Sequence, residues 1–519
     1  MARSARVLAE RLPFAIYPVA VVLLVGLHLW VASGVSPFAA VRGLLIATAI
    51  GVAASAAGTA ILRDRHRGGL LGLLIVLAIV AGGRPGVPLV LLVPAMLLVV
   101  ERYGPWHVAL NWAWIGRLIA RGTAIFALAV VLEAIQLGRF GDLVAALQRE
   151  GPFRSPSSVQ PPPDAPDVYV LLLDGYARGD IMSARYGLDD SPFRDGLAQR
   201  GFSVATANHS NYLITNLSLS SFLNYRQLQD VPAIQPLIAN PSGADGPGVY
   251  RAISSPAVVD AFRSIGYETI TVSSGFEQVA VRGSDHFLDP GQINEFEIQL
   301  LRPSLIAPLA TLIAPDIISG QQRDRIESIF TSVEGLAAAP SARPRFVFAH
   351  VPSPHAPWVD RADGSPRIAT NLEAYYWDTP ETTGLTRAEI VEAYSGQAVY
   401  LGRRTLTAID AVLAASPRPP VILVISDHGS SLDVTAANAE TRLRNLFAAY
   451  TPGRDALYPN DVTLVNIFPT LLDAYFGLDL PKAPETLYTQ GPRGLFDPIP
   501  LQAPPPGAGV NDARLRSAP

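Results

Sequence analysis

Three apolar runs in this chain stop at residues able to hold a metal ion or move a proton. DVYVLLL (167–173) leads into Asp174-Gly175-Tyr176, RFVFAHV (345–351) contains His350 and leads to His355, and PVILVIS (420–426) leads into Asp427-His428-Gly429. Singly, each has a plain structural reading: Asp-Gly after a strand is a common turn, and a lone histidine beside an apolar run is often a half-buried core residue. A carboxylate and an imidazole side by side after a buried run are different, because both need partners and a divalent cation satisfies both. Together, Asp174, Asp427 and His428 form an O,O,N ligand set suited to one zinc or manganese ion, ahead of calcium or magnesium, with a coordination position left open. A fourth stretch, NYLITNLSLSSFLN (211–224), carries one threonine, Thr215, and three serines, with no lysine, histidine or cysteine to activate them. A hydroxyl held at such a cation is acidified by it and needs no neighbouring base. The alternative is that Thr215 only caps a helix starting there.

These residues must be brought together by the elements around them. From Asp167 the chain alternates short apolar β-rich runs (DVYVLLL, YETITVSS, RFVFAHV, PVILVIS) with helical patterns at 254–266 and 385–416. That alternation predicts an α/β domain with a mostly parallel central sheet covered by helices. In such sheets functional side chains gather at the carboxyl edge of the strands, where all three polar endings fall. The domain is expected over 167–500, after a linker at 138–166 that opens as an amphipathic helix (138–150) and ends in the Pro/Ser-rich FRSPSSVQPPPDAP (153–166). A disordered tail is expected at 501–519.

The first third reads differently. The chain has 519 residues, 49% hydrophobic and only 16% charged, with a mean hydropathy of +0.27, a composition that leans toward a membrane protein. Apolar runs at 14–33, 38–61, 68–83, 87–100 and 119–137 give about five spans in a transmembrane domain over 1–137. Arg3, Arg6 and Arg11 precede the first, RDRHR (63–67) lies between the second and third, and Arg102, Arg117 and Arg121 lie before or at the start of the fifth. The alternate connections hold only Arg42 and Arg84. Positive residues inside put the N-terminus in the cytoplasm and the last two-thirds of the chain outside. If the first run is instead a cleaved signal peptide ending near 31–33, the polar region is still exported. Net charge is −4, and without a basic block no nucleic-acid partner is expected. The absence of cysteine excludes disulfides, thiolate metal sites and a cysteine nucleophile.

The four segments resemble the alkaline phosphatase/sulfatase superfamily. DVYVLLLDGY is similar to its first metal-binding strand, NYLITNLSLSSFLN to its nucleophile segment, and VISDHG to its second metal-binding strand. LFAAYTPG (446–453) and VNIFPTLLDAYFGLDLP (465–481) resemble its closing segment. Within it, the arrangement looks most like membrane-anchored phosphoethanolamine and phosphoglycerol transferases of the lipoteichoic acid synthase type, which place about five helices before an exported catalytic domain. The resemblance implies Thr215 of a Thr-x-x-Ser-apolar pattern as nucleophile and metal ligand, with Asn216 and Ser218 touching substrate and Ser218 the second choice of nucleophile. It also implies that His350 and His355 hold the donor's phosphate or protonate its leaving group. A membrane lipid would be the donor and an envelope glycan or lipid the acceptor, at a bacterial inner membrane. Two departures matter. SLSSF lacks the Cys/Ser-x-Pro-x-Arg motif a sulfatase converts to formylglycine, and no histidine follows His428 where the transferases carry another. The expected site therefore holds one metal, and a phosphatase, phosphodiesterase or sulfuric ester hydrolase, or a catalytically silent envelope scaffold, are the rival readings.

Overall fold

The computed structural model describes residues 14–81, isolated positions within 87–99, and residues 111–150, 159–241, 246–291, 293–314, 316–369 and 383–501. Six positions of the 87–100 run, residues 151–158 in the middle of the linker and all but the first residue of the expected tail lie outside them.

The N-terminal third forms α1 (Tyr17–Ser33), α2 (Pro37–Leu62), α3 (Arg65–Ala81) and α4 (Trp112–Gln136). Helices α2 and α4, of 26 and 25 residues, are long and apolar enough to cross a membrane. Helices α1 and α3 have 17 residues each, about 25 Å at 1.5 Å per residue, just short of a hydrocarbon core. Helix α4 begins seven residues before the run read from hydropathy, because Asn111 caps it by accepting a hydrogen bond from Trp114 N. Small residues let α2 and α3 touch: a Cβ on Gly58 would stand 2.2 Å from Gly68 O, the close approach that holds apolar helices together where water does not drive packing.

Helix α5 (Arg139–Arg149) is the amphipathic segment and ties the two parts of the chain. Phe140, Val144 and Leu147 are exposed on one side, while Arg139 is fully buried on the other. The Arg139 guanidinium donates to Val35 O at 2.6 Å and to Asp142 at 2.7 Å. Asp142 in turn accepts from Arg251 of the α/β domain at 2.6 Å.

That domain is built on a seven-stranded sheet from β1 (Val168–Leu173), β2 (Ser203–Val204), β3 (Glu268–Val272), β4 (His286–Leu288), β5 (Arg345–Val351), β6 (Val421–Ile425) and β7 (Phe447–Tyr450), in the order β2-β7-β6-β1-β5-β3-β4. The sheet is mostly parallel, as the alternation predicts; β7 is antiparallel to both neighbours. The helices that matter here are α6 (Thr215–Phe222), α7 (Ala257–Ser264), α8 (Glu295–Leu301), α9 (Ile306–Ile313), α10 (Ile317–Ala338), α11 (Arg387–Ala415) and α12 (Ile467–Phe476). The central strands are buried on both faces, which is why their sequences are unbroken apolar runs rather than alternating ones. Tyr169, Leu171 and Leu173 pack under α10 and α11, whereas Val168, Val170 and Leu172 pack under α6, α7 and α12. Phe262 of α7 stacks on Phe346 of β5 at 4.2 Å, the kind of buried aromatic whose truncation costs about 3–5 kcal/mol.

Candidate active site

The register of three parallel strands decides which side chains meet. Leu172 of β1 stands beside both His350 of β5 and Ile425 of β6. Side chains repeat every second residue along a strand, so Asp174 and Asp427 leave adjacent strands at one level and on one side. It is the side covered by α6, and α6 begins at Thr215.

The cluster is buried and compact. Asp174, Asp427 and His428 offer ligand atoms within 4.8 Å of one another. His428 Nε2 lies 3.3 Å from Asp427 Oδ2 and 4.0 Å from Asp174 Oδ1, and Thr215 Oγ1 lies 3.2 Å from His428 Nε2. The His428 Nδ1–H donates to Gly429 O at 2.7 Å, which leaves the Nε2 lone pair aimed at the cluster, the way metal-ligating imidazoles are held. Burial pushes the His428 pKa below the ordinary histidine value even with Asp427 and Asp174 beside it, so the ring stays a neutral ligand. For Asp174 burial acts upward, but the hydrogen bond from His350 and the nearby imidazoles of His355 and His428 outweigh it and hold the carboxyl well below its usual range.

Asp174 Oδ1 and Asp427 Oδ2 are buried without a hydrogen-bond partner. An orphaned buried carboxylate oxygen costs several kcal/mol unless a cation compensates it. Two such oxygens facing one neutral imidazole nitrogen fit a divalent cation, with Thr215 Oγ1 as a fourth donor. Oxygen and nitrogen donors of this kind suit zinc or manganese.

The surrounding backbone is fixed tightly. Asp174 O accepts from His355 N at 3.0 Å, and Asp427 Oδ1 accepts from Gly175 N at 3.1 Å. Gly175 has φ +73°, a left-handed turn that a β-carbon disfavours. Gly429 permits another approach, since a Cβ there would stand 2.6 Å from Arg444 O. His350 is buried and gives its Nε2–H to Asp174 Oδ2 at 3.1 Å. His355 is half-buried, donates from Nδ1 to Ala356 O at 2.7 Å, and meets Phe276 edge-on. Asn216 is half-buried, with its Oδ1 unpaired. Ser218 is turned away and donates to Tyr212 O at 2.9 Å. Thr215 is the first residue of α6, and no side chain caps that helix.

Two further residues, not singled out by their sequence, position the site. Ser426 Oγ accepts from Tyr176 N at 2.8 Å and donates to His428 O at 2.6 Å; its place inside VISDHG was the available signal. Tyr394 of α11 donates to Gly175 O at 2.8 Å and accepts from Ala177 N at 3.0 Å, and nothing local in α11 marks it. Tyr394→Phe unpairs both buried groups and is expected to cost about 1–3 kcal/mol in urea unfolding; wild-type stability would show that the clamp carries no weight.

The sequence model of the Sulfatase family matches residues 166–478. Among solved structures, the C-terminal periplasmic domain of EptC from Escherichia coli is similar at TM-score 0.44 and 15% identity, over 68% of this chain and 99% of that one. The integral membrane lipooligosaccharide phosphoethanolamine transferase A from Neisseria meningitidis is similar at TM-score 0.39 and 15% identity, over 80% of each chain. An alkaline phosphatase superfamily protein from Vibrio parahaemolyticus is similar at TM-score 0.38 and 14% identity, over 65% of this chain and 74% of that one. No curated protein sequence matches. The span matched by the family model begins two residues before β1, ends just beyond α12, and takes in every residue of the buried cluster; the chain belongs to the sulfatase family.

Proposed function

We propose that this protein is a membrane-anchored, single-metal phosphotransferase that moves the phosphoryl-alcohol headgroup of a phospholipid to an envelope glycan or lipid, with Thr215 as nucleophile. The observation that carries this reading is the approach of Thr215 Oγ1 to 3.2 Å from His428 Nε2, beside two carboxylate oxygens that lack partners. Asp174, Asp427, His428 and Thr215 would hold the cation. When bound, it supplies acidification of the hydroxyl and neutralisation of charge on the transferring group.

The chain's own residues do the rest. Thr215 Oγ, its proton released to solvent, attacks phosphorus; the Oγ–P bond forms as the bond from phosphorus to the diacylglycerol oxygen breaks, and that oxygen receives a proton from His355. An acceptor hydroxyl then attacks the same phosphorus, returns its proton to His355 and frees Thr215. His355 suits the proton transfers because Nδ1 is committed to Ala356 O and only Nε2 exchanges. His350, buried and bonded to Asp174, serves as a positioning residue. Backbone N–H groups at the start of α6 favour the phosphate's negative charge. Absence of the formylglycine motif favours phosphate over sulfate.

Intact-protein mass spectrometry after incubation with phospholipid, without acceptor, tests the reading: an adduct localised to Thr215 is expected, and an adduct on Ser218 would overturn the assignment. Anchoring has its own test. A reporter active only outside the cytoplasm should work when fused after Pro163 and fail when fused near Arg65, following the arginine asymmetry; the reverse pattern would remove every extracytoplasmic substrate.

A further inference from the structure

Segment 293–306 of the α/β domain packs on the outer ends of α1–α3. Asn294 Nδ2 donates to Ala39 O at 3.0 Å, and Leu305 N donates to Ile79 O at 3.2 Å. Gly43 lets α8 close on α2, since a Cβ there would stand 3.0 Å from Leu300 and 3.2 Å from Phe296. Between these elements lies a cavity of about 360 Å³, walled by apolar side chains that include Val25, Ile46, Ile50, Val80, Leu300 and Leu301. Its polar edge is the Arg42–Glu297 ion pair, 2.5 Å, in which Arg42 is half-exposed and Glu297 nearly buried.

We propose that this slot takes one acyl chain of a membrane phospholipid, whose phosphate sits against Arg42. The proposal rests on the membrane-anchored reading but not on which lipid is the donor. An apolar space is poorly hydrated, and one of this volume is the size of a small-molecule site; opening among apolar helices, it is filled by the alkyl chains around it. The half-exposed Arg42 guanidinium, although paired with Glu297, is the cationic group at the rim that a lipid phosphate would approach. Continuity agrees as well. Helix α9 starts at Ile306 on the slot wall and runs on with Leu309, Leu312 and Ile313 exposed by 55%, 78% and 82%, an apolar surface suited to the same hydrocarbon.

The test is photolabelling of the full chain in nanodiscs of phosphatidylcholine carrying a diazirine midway along one acyl chain, with adducts mapped by peptide mass spectrometry. Adducts are expected on 293–306 and on 42–50, as well as on the exposed face of α4, which reports general membrane contact. Ala47→Phe should cut the 293–306 adduct about tenfold, as expected when an aromatic ring occupies the space of an apolar ligand, with α4 labelling unchanged. Ile50→Trp, at a half-buried wall position, should do the same if Ala47→Phe fails to fold. Labelling of α4 without 293–306, or 293–306 labelling unmoved by the folded variants, overturns the slot while leaving the anchoring intact. Cross-links joining two copies through 293–306 in place of lipid adducts also overturn it. No labelling of α4 either would overturn the anchoring with it.

Discussion

Thr215→Ala is expected to abolish headgroup transfer while leaving the fold and metal binding in place. Removing a nucleophile that acts as a unit with its activating groups costs roughly 10⁴-fold or more in rate, far above the change a lost helix cap produces. A capping threonine would lower stability by about 1 kcal/mol and spare the chemistry, but no side chain caps α6 and Thr215 Oγ1 instead faces His428. Asp174, Asp427 and His428 remain to hold the ion in the variant. Thr215→Ser should recover part of the activity, because a hydroxyl is restored at the same helix position. Ser218→Ala should be mild, removing a hydrogen bond to Tyr212 O worth about 1 kcal/mol. Turnover of a phospholipid with defined headgroup, measured alongside metal content and thermal unfolding, separates these cases. Full activity in Thr215→Ala with wild-type metal would sink the assignment.

The second large effect concerns the metal. The chain should bind close to one zinc or manganese ion, and Asp427→Ala or His428→Ala should abolish tight binding, since each removes one of three buried ligands. Binding to the folded state alone stabilises it by about 2.7 kcal/mol when free metal is at 100 times the dissociation constant. Metal should therefore raise the unfolding temperature of the wild-type chain and leave that of Asp427→Ala unmoved. His350→Gln should act more weakly, by roughly 10–100-fold in affinity, because His350 only orients Asp174. Acidification should weaken binding in the wild-type chain, as protons compete for His428 and the carboxylates. Equilibrium dialysis with elemental analysis checks stoichiometry and variants together. Two ions per chain would point to ligands beyond this cluster, and none would leave the paired orphan oxygens unexplained.

The sequence by itself determined the chemistry-bearing residue types and the elements that carry them. Unbroken apolar runs such as VYVLLL and VILVI read as strands of a mostly parallel sheet, and the helical pattern at 385–416 marked α11. Asp174, Asp427 and His428 were legible because each lies within three residues of the end of such a strand. What tertiary structure alone decided was adjacency. The pairing of Leu172 with both His350 and Ile425 sets the two aspartates level, and strand neighbours in a parallel sheet are separated in sequence by long crossovers that no local pattern encodes. The same holds for Thr215, whose helix is packed over that edge by contacts spread across one apolar face, and for Tyr394, which reaches Gly175 from 219 residues away. His350 and His355, five residues apart, were read as a pair; one became a buried support for Asp174 and the other a half-buried ring at Phe276, because the chain turns sharply after β5. The slot beside α8 lay furthest from view, since its walls come from helices of two separate parts of the chain, and an apolar residue lining a cavity has the same letter as one filling a core.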